Sequence, residues 1–453
     1  TVYPSADIHI SRQKIISNPA FKYRSVGNGE WSLFAYRANV NVDVLHHDYG
    51  RRVLGIFHTF DLLLPEEKCI HEHPEYYAKR KWWDLINNKG KLQLNTANPE
   101  VIELVARKLA DFSKEGHYEM LTLAPNDHRR FDMSLTSLKM DEWGVPSDQK
   151  MSKRMFVFYN EVAKRYKQMG GKLPIRIGAY DVYTSPPKDR TLKLESGLVP
   201  YIAHFEYCQL HAIEDKNCKP NKRFAEIIWR WNNLSRNLFI YEYACKRNWL
   251  GLPWPVYIHA DEDARYYSSK GVIGYFTQFS EENTFPNLLN YYMTAKALWN
   301  PSFDYGKIRS EFFSLFYAGV SDKMGMCYKL LEDEFENAKV DISGNARRNF
   351  TRIFKEDTLK KALSLAEEAY GQVYDQKVKT RVDMMITWLQ YSLAVRHVIE
   401  GKDREHNIQV MAYLMKQSEK KGYPIFNRKV LFKPSCLGKL VILNRFLSYY
   451  NSY

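Results

Sequence analysis

The stretch from Tyr201 to Ala244 limits what this chain can fold into more than any other part. Two short apolar-aromatic runs, YIAHFEYC and NLFIYEYA, each carry a glutamate near the C-terminal end, Glu206 and Glu242. Between them, residues 221–234 form a charged segment of helical character that bears Trp229 and Trp231. A strand–helix–strand order makes the strands parallel, because the crossover helix returns the chain to the same end of the sheet. Both glutamates then emerge at one edge. A carboxylate in an apolar strand is costly unless paired, so two at equivalent positions point to chemistry, with a structural ion-pair network as the plain alternative.

The rest of the chain supplies a frame. Strand candidates lie near residue 21 (FKYRSV), near 40 at the end of WSLFAYRANVNVDVL, at 53–64 (VLGIFHTFDLLL), near 120 (MLTLAPND), 173 (LPIRIGAYDVY), 201, 237 and 271 (GVIGYFTQFSEEN). Asn98-Pro99-Glu100 opens a helix with a capping side chain, a proline in the first turn and an acid beside the free N–H groups. Eight strand–helix units predict a (β/α)8 TIM barrel over residues 21–302, after a lead-in of residues 1–20. An open doubly wound sheet uses the same alternation, but no glycine-rich nucleotide fingerprint follows the first strand. From Asp304 the chain turns to amphipathic helices, so 303–453 reads as a mostly α-helical C-terminal domain, with strand-like alternation only at 439–444.

Several classes recede on composition. No apolar run is long enough to span a bilayer. The six cysteines include no CxxC pair, so neither a zinc cluster nor a disulfide framework is legible, although a Cys208–Cys218 bridge is feasible. The formal charge of +14 favours anionic partners, but its lysines and arginines are scattered in short clusters without a basic tail, which argues against nucleic acid. Thirty-two tyrosines and ten tryptophans suit either a carbohydrate cleft or a core.

In a barrel, side chains at the C-terminal strand ends converge on one opening. Those delivered there would be Arg24, His58 and Asp61, Asn126 and Asp127, Tyr180 and Asp181, Glu206, Glu242, and Gln278 with Glu281 or Glu282. This set has no Ser-His-Asp logic and no HExxH helix. Asp127, Glu206, Glu242 and His58 are ligand types for a cation, but the histidines lack metal-site spacing, and neither metal nor cofactor is predicted. Carboxyls beside aromatic side chains are what glycosidic bond cleavage requires. One stays protonated for the leaving oxygen, and a second carboxylate, or a nucleophile within the substrate, acts on the opposite face.

The catalytic candidates are Asp127, Glu206 and Glu242. In one arrangement Asp127 and Glu242 divide the roles, as strands four and seven do in many barrel glycosidases. In another, Asn126 and Asp127 hold a substrate acetamido group whose carbonyl oxygen attacks, and Glu206 or Glu242 donates the proton. Asn126, Tyr180, His58, Arg24, Trp249, Gln278, Glu282 and Asp181 are the substrate-binding candidates. Each has a plainer role open to it: a loop cap for Asp127, core filling for Tyr180 and Trp249, a satisfied core histidine for His58.

The segments FHTFDLLLPEEKCIHEHPEYYAKRK (57–81) and QLNTANPEVIELVARKL (93–109), with PND (125–127), HFEYC (204–208), IYEY (240–243), GYFTQF (274–279) and AKALWNPSFD (295–304), resemble a bacterial DUF4838-type domain. Some members of that family are classed with glycoside hydrolase family 163. The resemblance implies a hexosaminidase-like barrel with endo-β-N-acetylglucosaminidase-type action on complex N-glycans, retaining and substrate-assisted. It supports Glu206 and Asp127 as shared acidic positions. Many relatives carry aspartate at position 242, and a cysteine-bearing loop where this chain has HRRFDMSL. The expected partner is therefore an oligosaccharide or polysaccharide containing a β-linked N-acetylhexosamine, and the basic balance fits an acidic one. The expected location is secreted, periplasmic or on the outer surface. The rival functions are a non-catalytic carbohydrate-binding protein on the same scaffold and a polysaccharide lyase.

Overall fold

The computed structural model describes residues 18–26, 42–43, 51–55, 57–79, 91–244, 249, 251–278, 284–343, 349–426 and 450. Its sheet is built from runs buried along their whole length, such as LTL, IRIGA and LVPYIA. Continuous burial is what parallel strands covered on both faces require. The strands are β1 (Tyr23–Val26), β2 (Val42–Asp43), β3 (Arg51–Arg52), β4 (Leu121–Leu123), β5 (Ile175–Ala179), β6 (Leu198–Ala203), β7 (Leu238–Glu242) and β8 (Val272–Thr277). Six pair in the order β1-β8-β7-β6-β5-β4, every pair parallel, while β2 and β3 form a separate two-stranded ladder.

This corrects the expected (β/α)8 TIM barrel. Among the described residues the sheet is an open, curled half-barrel followed by helices, not a closed eight-stranded barrel. The expectation fails between β1 and β4. There β2 and β3 are two residues each and carry Asp43, Arg51 and Arg52 where a buried parallel strand needs an apolar run. The apolar run at 53–64 is no strand either. Val53 makes a single bridge to Met120, Gly55 turns the chain at φ +64°, and Phe60–Leu63 winds into one helical turn. Thr59 anchors this turn to β4, its hydroxyl donating to the Thr122 carbonyl oxygen at 2.9 Å and accepting from Ala124 N–H at 3.1 Å. A short apolar run does not declare its period.

Helices α1 (Pro99–Lys114), α2 (Ser152–Gln168), α3 (Lys219–Asn232), α4 (Ala260–Ser269) and α5 (Thr284–Trp299) belong to the half-barrel region. The expected cap of α1 is present, with Asn98 accepting from Glu100 N–H at 2.9 Å. The crossover α3 joins parallel β6 and β7, as the sequence predicts. Along β6 and β7 the pleat alternates the two faces. Tyr201 and Phe239 pack in the concave interior with Tyr23, Phe57 and Phe276, whereas Ile202 and Ile240 face the helical layer. Arg176 of β5 fills the same interior. Its guanidinium lies over the Tyr201 and Phe239 rings and donates to the Gly55 carbonyl oxygen at 2.7 Å, and burial pushes its pKa down to about 10. In β8 the register against β7 shifts by one residue, Leu238 opposing Val272 and Phe239 opposing Gly274. Helices α6 (Tyr305–Phe316), α7 (Ser321–Glu336), α8 (Glu356–Gln372), α9 (Gln376–Glu400) and α10 (Arg404–Lys420) share a second core with Trp249, Trp254, Cys208 and Cys218 from the loops of the sheet. Among the described residues, no helix is long and apolar enough to cross a membrane.

Candidate active site

β4, β5 and β6 are neighbours, and just beyond their ends stand Asp127, then Tyr180 with Asp181, then Glu206. The Tyr180 hydroxyl donates to Asp127 Oδ1 at 3.2 Å. His58 Nε2 lies 3.8 Å from the same oxygen. His58 Nδ1 is 2.6 Å from the Pro125 carbonyl oxygen. A carbonyl only accepts, so Nδ1 carries a proton and the ring is fixed with Nε2 toward Asp127.

Arg129 links the other two acids. Its Nε donates to Asp181 Oδ2 at 2.6 Å and its Nη2 to Asp181 Oδ1, while Nη2 also lies 3.4 Å from Glu206 Oε1. Asp181 adopts φ +53°, a left-handed conformation that aspartate tolerates better than most residues. The two outer carboxyls differ in their solvent. The Asp127 side chain is 68% exposed and that of Glu206 40%. Burial raises the Glu206 pKa, the Asp181 charge raises it further, and Arg129 opposes both. Tyr180 is also pushed up, first by burial and then by Asp127. One carboxyl inclined to keep its proton, with a more open one across the end of β5, is an arrangement that can divide acid and anion roles.

Glu242 is placed elsewhere. Tyr241 points into the interior, with ring centroids 5.7 Å from Phe57 and 4.8 Å from Phe276, so the next side chain faces the helices. There Glu242 is buried. It accepts from the Tyr267 hydroxyl of α4 and meets His204 Nδ1 at 3.0 Å. The other nitrogen of His204 faces Asn221 Oδ1 at 3.2 Å, and Asn221 is oriented by donating to the His211 and Ala212 carbonyl oxygens at 2.9 and 3.1 Å. Both ring nitrogens thus meet acceptors. Burial pushes the His204 pKa down, but the Glu242 charge and these hydrogen bonds override it and hold it above the usual value. This is a paired buried ion, and His204 and Tyr267 are its unforeseen members.

The remaining expected site residues divide. Asn126 lies beside Asp127, its Nδ2 donating to the Leu92 carbonyl oxygen at 2.6 Å and its N–H to Gln93 Oε1 at 3.0 Å. Gln278 donates to the Tyr241 hydroxyl at 3.3 Å. Arg24 is buried, donating to the Phe21 carbonyl oxygen at 2.6 Å under the Trp299 ring. Trp249 is core, packed on Trp254 and Phe350, with its N–H donating to the Pro253 carbonyl oxygen at 2.8 Å. Glu281 and Glu282 lie outside the described residues. The structure therefore brings together His58, Asn126, Asp127, Tyr180, Asp181 and Glu206, and adds Arg129 and Gln93. Among the described residues, the side chains grouped closely enough to hold a metal ion are Cys208, His211, Cys218 and Asp341.

A family model described as a domain of unknown function, DUF4838, matches residues 1–322. The chain belongs to the DUF4838 family. No curated protein matches this DUF4838 chain. Among solved structures it is similar to a GH138 enzyme targeting pectin rhamnogalacturonan II, at 9% identity and TM-score 0.47, over 98% of this chain and 64% of that one. It is also similar to a mutant of an O-GlcNAc hydrolase from Thermobaculum terrenum, at 11% identity and TM-score 0.44, over 96% and 95% of the two chains. A family 89 glycoside hydrolase from Clostridium perfringens in complex with PUGNAc matches at 9% identity and TM-score 0.48, over 77% of this chain and 39% of that one. The DUF4838 chain thus spans less than two thirds of the first and third of these. Likenesses this distant assign no role to any residue.

Proposed function

We propose that this DUF4838 protein is a glycoside hydrolase acting on a glycan with a β-linked N-acetylhexosamine, with Glu206 as general acid and Asp127 as the second carboxyl. The observation that carries the proposal is the pair itself. Two carboxyls of unequal solvation stand beyond the ends of β4 and β6, on either side of β5, with Tyr180 hydrogen bonded to one and Arg129 ion-paired to the other. The finer assignment, to endo-acting hydrolysis of the family 163 type with the substrate acetamido group as nucleophile, rests on the motif resemblance. In that scheme Asp127 orients the acetamido nitrogen, and His58 and Tyr180 fix Asp127. The net charge of +14 supports an acidic glycan, with Arg129 between Asp181 and Glu206 and Arg130 next to it on the same loop.

The test is turnover of N-glycans and of β-N-acetylhexosaminides. Glu206→Gln and Asp127→Asn should each lower kcat by about 10²–10⁴-fold. Replacing the 2-acetamido group with a trifluoroacetamido group should slow the wild type if the substrate supplies the nucleophile, and unchanged rates would exclude that route. Matched neutral and acidic glycans over a salt series test the charge preference. The ion pair between Arg129 and Glu206 favours one second reading, a carbohydrate-binding protein that keeps the acid fixed. In that case Glu206→Gln leaves glycan affinity nearly unchanged and no turnover is found in the wild type.

A further inference from the structure

Two residues beyond Glu206 the β6–α3 loop begins a second constellation. Cys208 and His211 lie on the loop, Cys218 immediately precedes α3, and Asp341 comes from the segment after α7, 123 positions further along the chain than Cys218. One ligand atom from each lies within 4.8 Å of all the others. Cys208 Sγ is 3.4 Å from His211 Nδ1, His211 Nδ1 is 3.4 Å from Asp341 Oδ1, and Cys218 Sγ is 3.5 Å from the same Asp341 oxygen. We propose that Cys208, His211, Cys218 and Asp341 form a structural zinc site that fastens the β6–α3 loop to the helical region.

The separations carry the proposal. Zinc binds thiolate at about 2.3 Å and imidazole or carboxylate at about 2.0–2.2 Å, and a tetrahedron of those lengths has edges of roughly 3.4–3.8 Å. The three distances above fall on that scale. Hydrogen bonding alone accounts for them poorly, since a single Nδ1 faces both a sulfur and a carboxylate at equal distance, whereas one cation at the centre satisfies all four groups. The donor set names the metal. Two thiolates exclude magnesium and calcium, and with one imidazole and one carboxylate they make a four-ligand tetrahedral set that suits zinc in a closed, structural site.

The surroundings are built for ligands. Ile342 N–H points at Cys208 Sγ from 3.4 Å, and Asn221 Nδ2 donates to the His211 backbone carbonyl oxygen at 2.9 Å, which holds the loop in place around the ligands. Gln209 N–H donates to the Ile342 carbonyl oxygen at 2.8 Å, so the two segments are already paired at the backbone. Both cysteines are buried, whereas Asp341 is exposed, which leaves an entry side for the ion. The site touches none of Asp127, Tyr180 or Arg129. It anchors the loop that carries Glu206, so its test is independent of any glycan chemistry.

The test is metal content of the full-length chain, expressed without a polyhistidine tag and purified under reducing conditions without chelator. About one zinc per chain is expected by elemental mass spectrometry. The double variant Cys208→Ser/Cys218→Ser should carry none, and Asp341→Ala should bind zinc at least tenfold more weakly in a chelator competition. Should the double variant fail to fold, cobalt titration of the metal-stripped wild type decides. Tetrahedral thiolate-bound cobalt gives strong visible bands and a thiolate charge-transfer band, which Asp341→Ala should weaken. A wild-type chain that takes up neither zinc nor cobalt, or that holds a Cys208–Cys218 disulfide, overturns the proposal.

Discussion

Removing the Arg129 side chain should make Glu206 hold its proton to higher pH. The guanidinium lies 3.4 Å from Glu206 Oε1, with 65% of the arginine side chain and 40% of the glutamate side chain exposed. At that exposure the dielectric of water is the appropriate limit, so the attraction is about 1.2 kcal/mol. That is slightly under tenfold in the proton-binding constant. The direction follows from the sign of the lost charge: without the cation the carboxylate form is less favourable. Asp181, released from its two hydrogen bonds to Arg129, adds repulsion in the same direction. At this distance ordinary ionic strength screens only part of the effect, because the Debye length is about 8 Å. Carbon NMR titration of labelled glutamate carboxyls in wild type and Arg129→Ala, with Glu206→Gln to assign the signal, reads the shift without any substrate. If Glu206 acts as the acid, the alkaline limb of the pH–rate profile moves up with it. A Glu206 titration that stays put or moves down would refute the electrostatic account.

Glu242→Ala should cost about 3–5 kcal/mol in chemical denaturation, because it leaves His204 buried without its charge partner. The His204 pKa is raised in the fold, so the pair contributes fully below about pH 6.5 and loses its contribution as pH rises through the folded value; the penalty should be larger at pH 6 than at pH 9. Gly274→Ala should lower stability by about 1–3 kcal/mol, since an added Cβ would collide with the Phe239 ring, and a thermal melt equal to wild type would rule out that packing. Burial pushes Tyr159, Tyr183, Tyr201, Tyr243, Tyr267 and Tyr275 well above the usual tyrosine value. The unfolded chain releases these protons near pH 10 and the fold does not, so each group removes about 1.4 kcal/mol per pH unit above pH 10. Tyrosinate absorbance should therefore rise cooperatively with loss of near-ultraviolet circular dichroism, and a gradual rise with the dichroism intact would contradict this.

What the sequence disclosed follows from where its signals are strong. Asn98-Pro99-Glu100 announced α1, and the βαβ unit around α3 was legible because helix and strand periods alternate cleanly there. Asp127, Tyr180, Asp181 and Glu206 were legible as polar residues ending apolar runs. Glu242 looked equivalent to Glu206, but β7 is apolar on both faces, so hydropathy cannot say which face any one of its residues takes. The orientation becomes visible only once Tyr241 is seen against Phe57 and Phe276. Trp249 carried no mark separating a sugar platform from a core residue. The thiol cluster was hidden because its first pair has the spacing C-x2-H, in CQLH, and its carboxylate joins from the far side of the chain.

The shifted register in β8 has a consequence for how this scaffold can vary. With Val272 turned to the helices and Gly274 to Phe239, Ile273 acts as a phase inserter: everything after it is rotated by one step. Deleting that single isoleucine would leave a plain alternation, Val272 outward, Gly274 inward, Tyr275 outward and Phe276 inward, with each residue keeping its β7 partner. The lining of the cleft would stay as it is, because the inserted residue is the one that the β7 ladder does not use. Homologues that lose one residue at this point should thus keep the same lining, whereas a one-residue change later in β8 would turn every side chain after it to the other face.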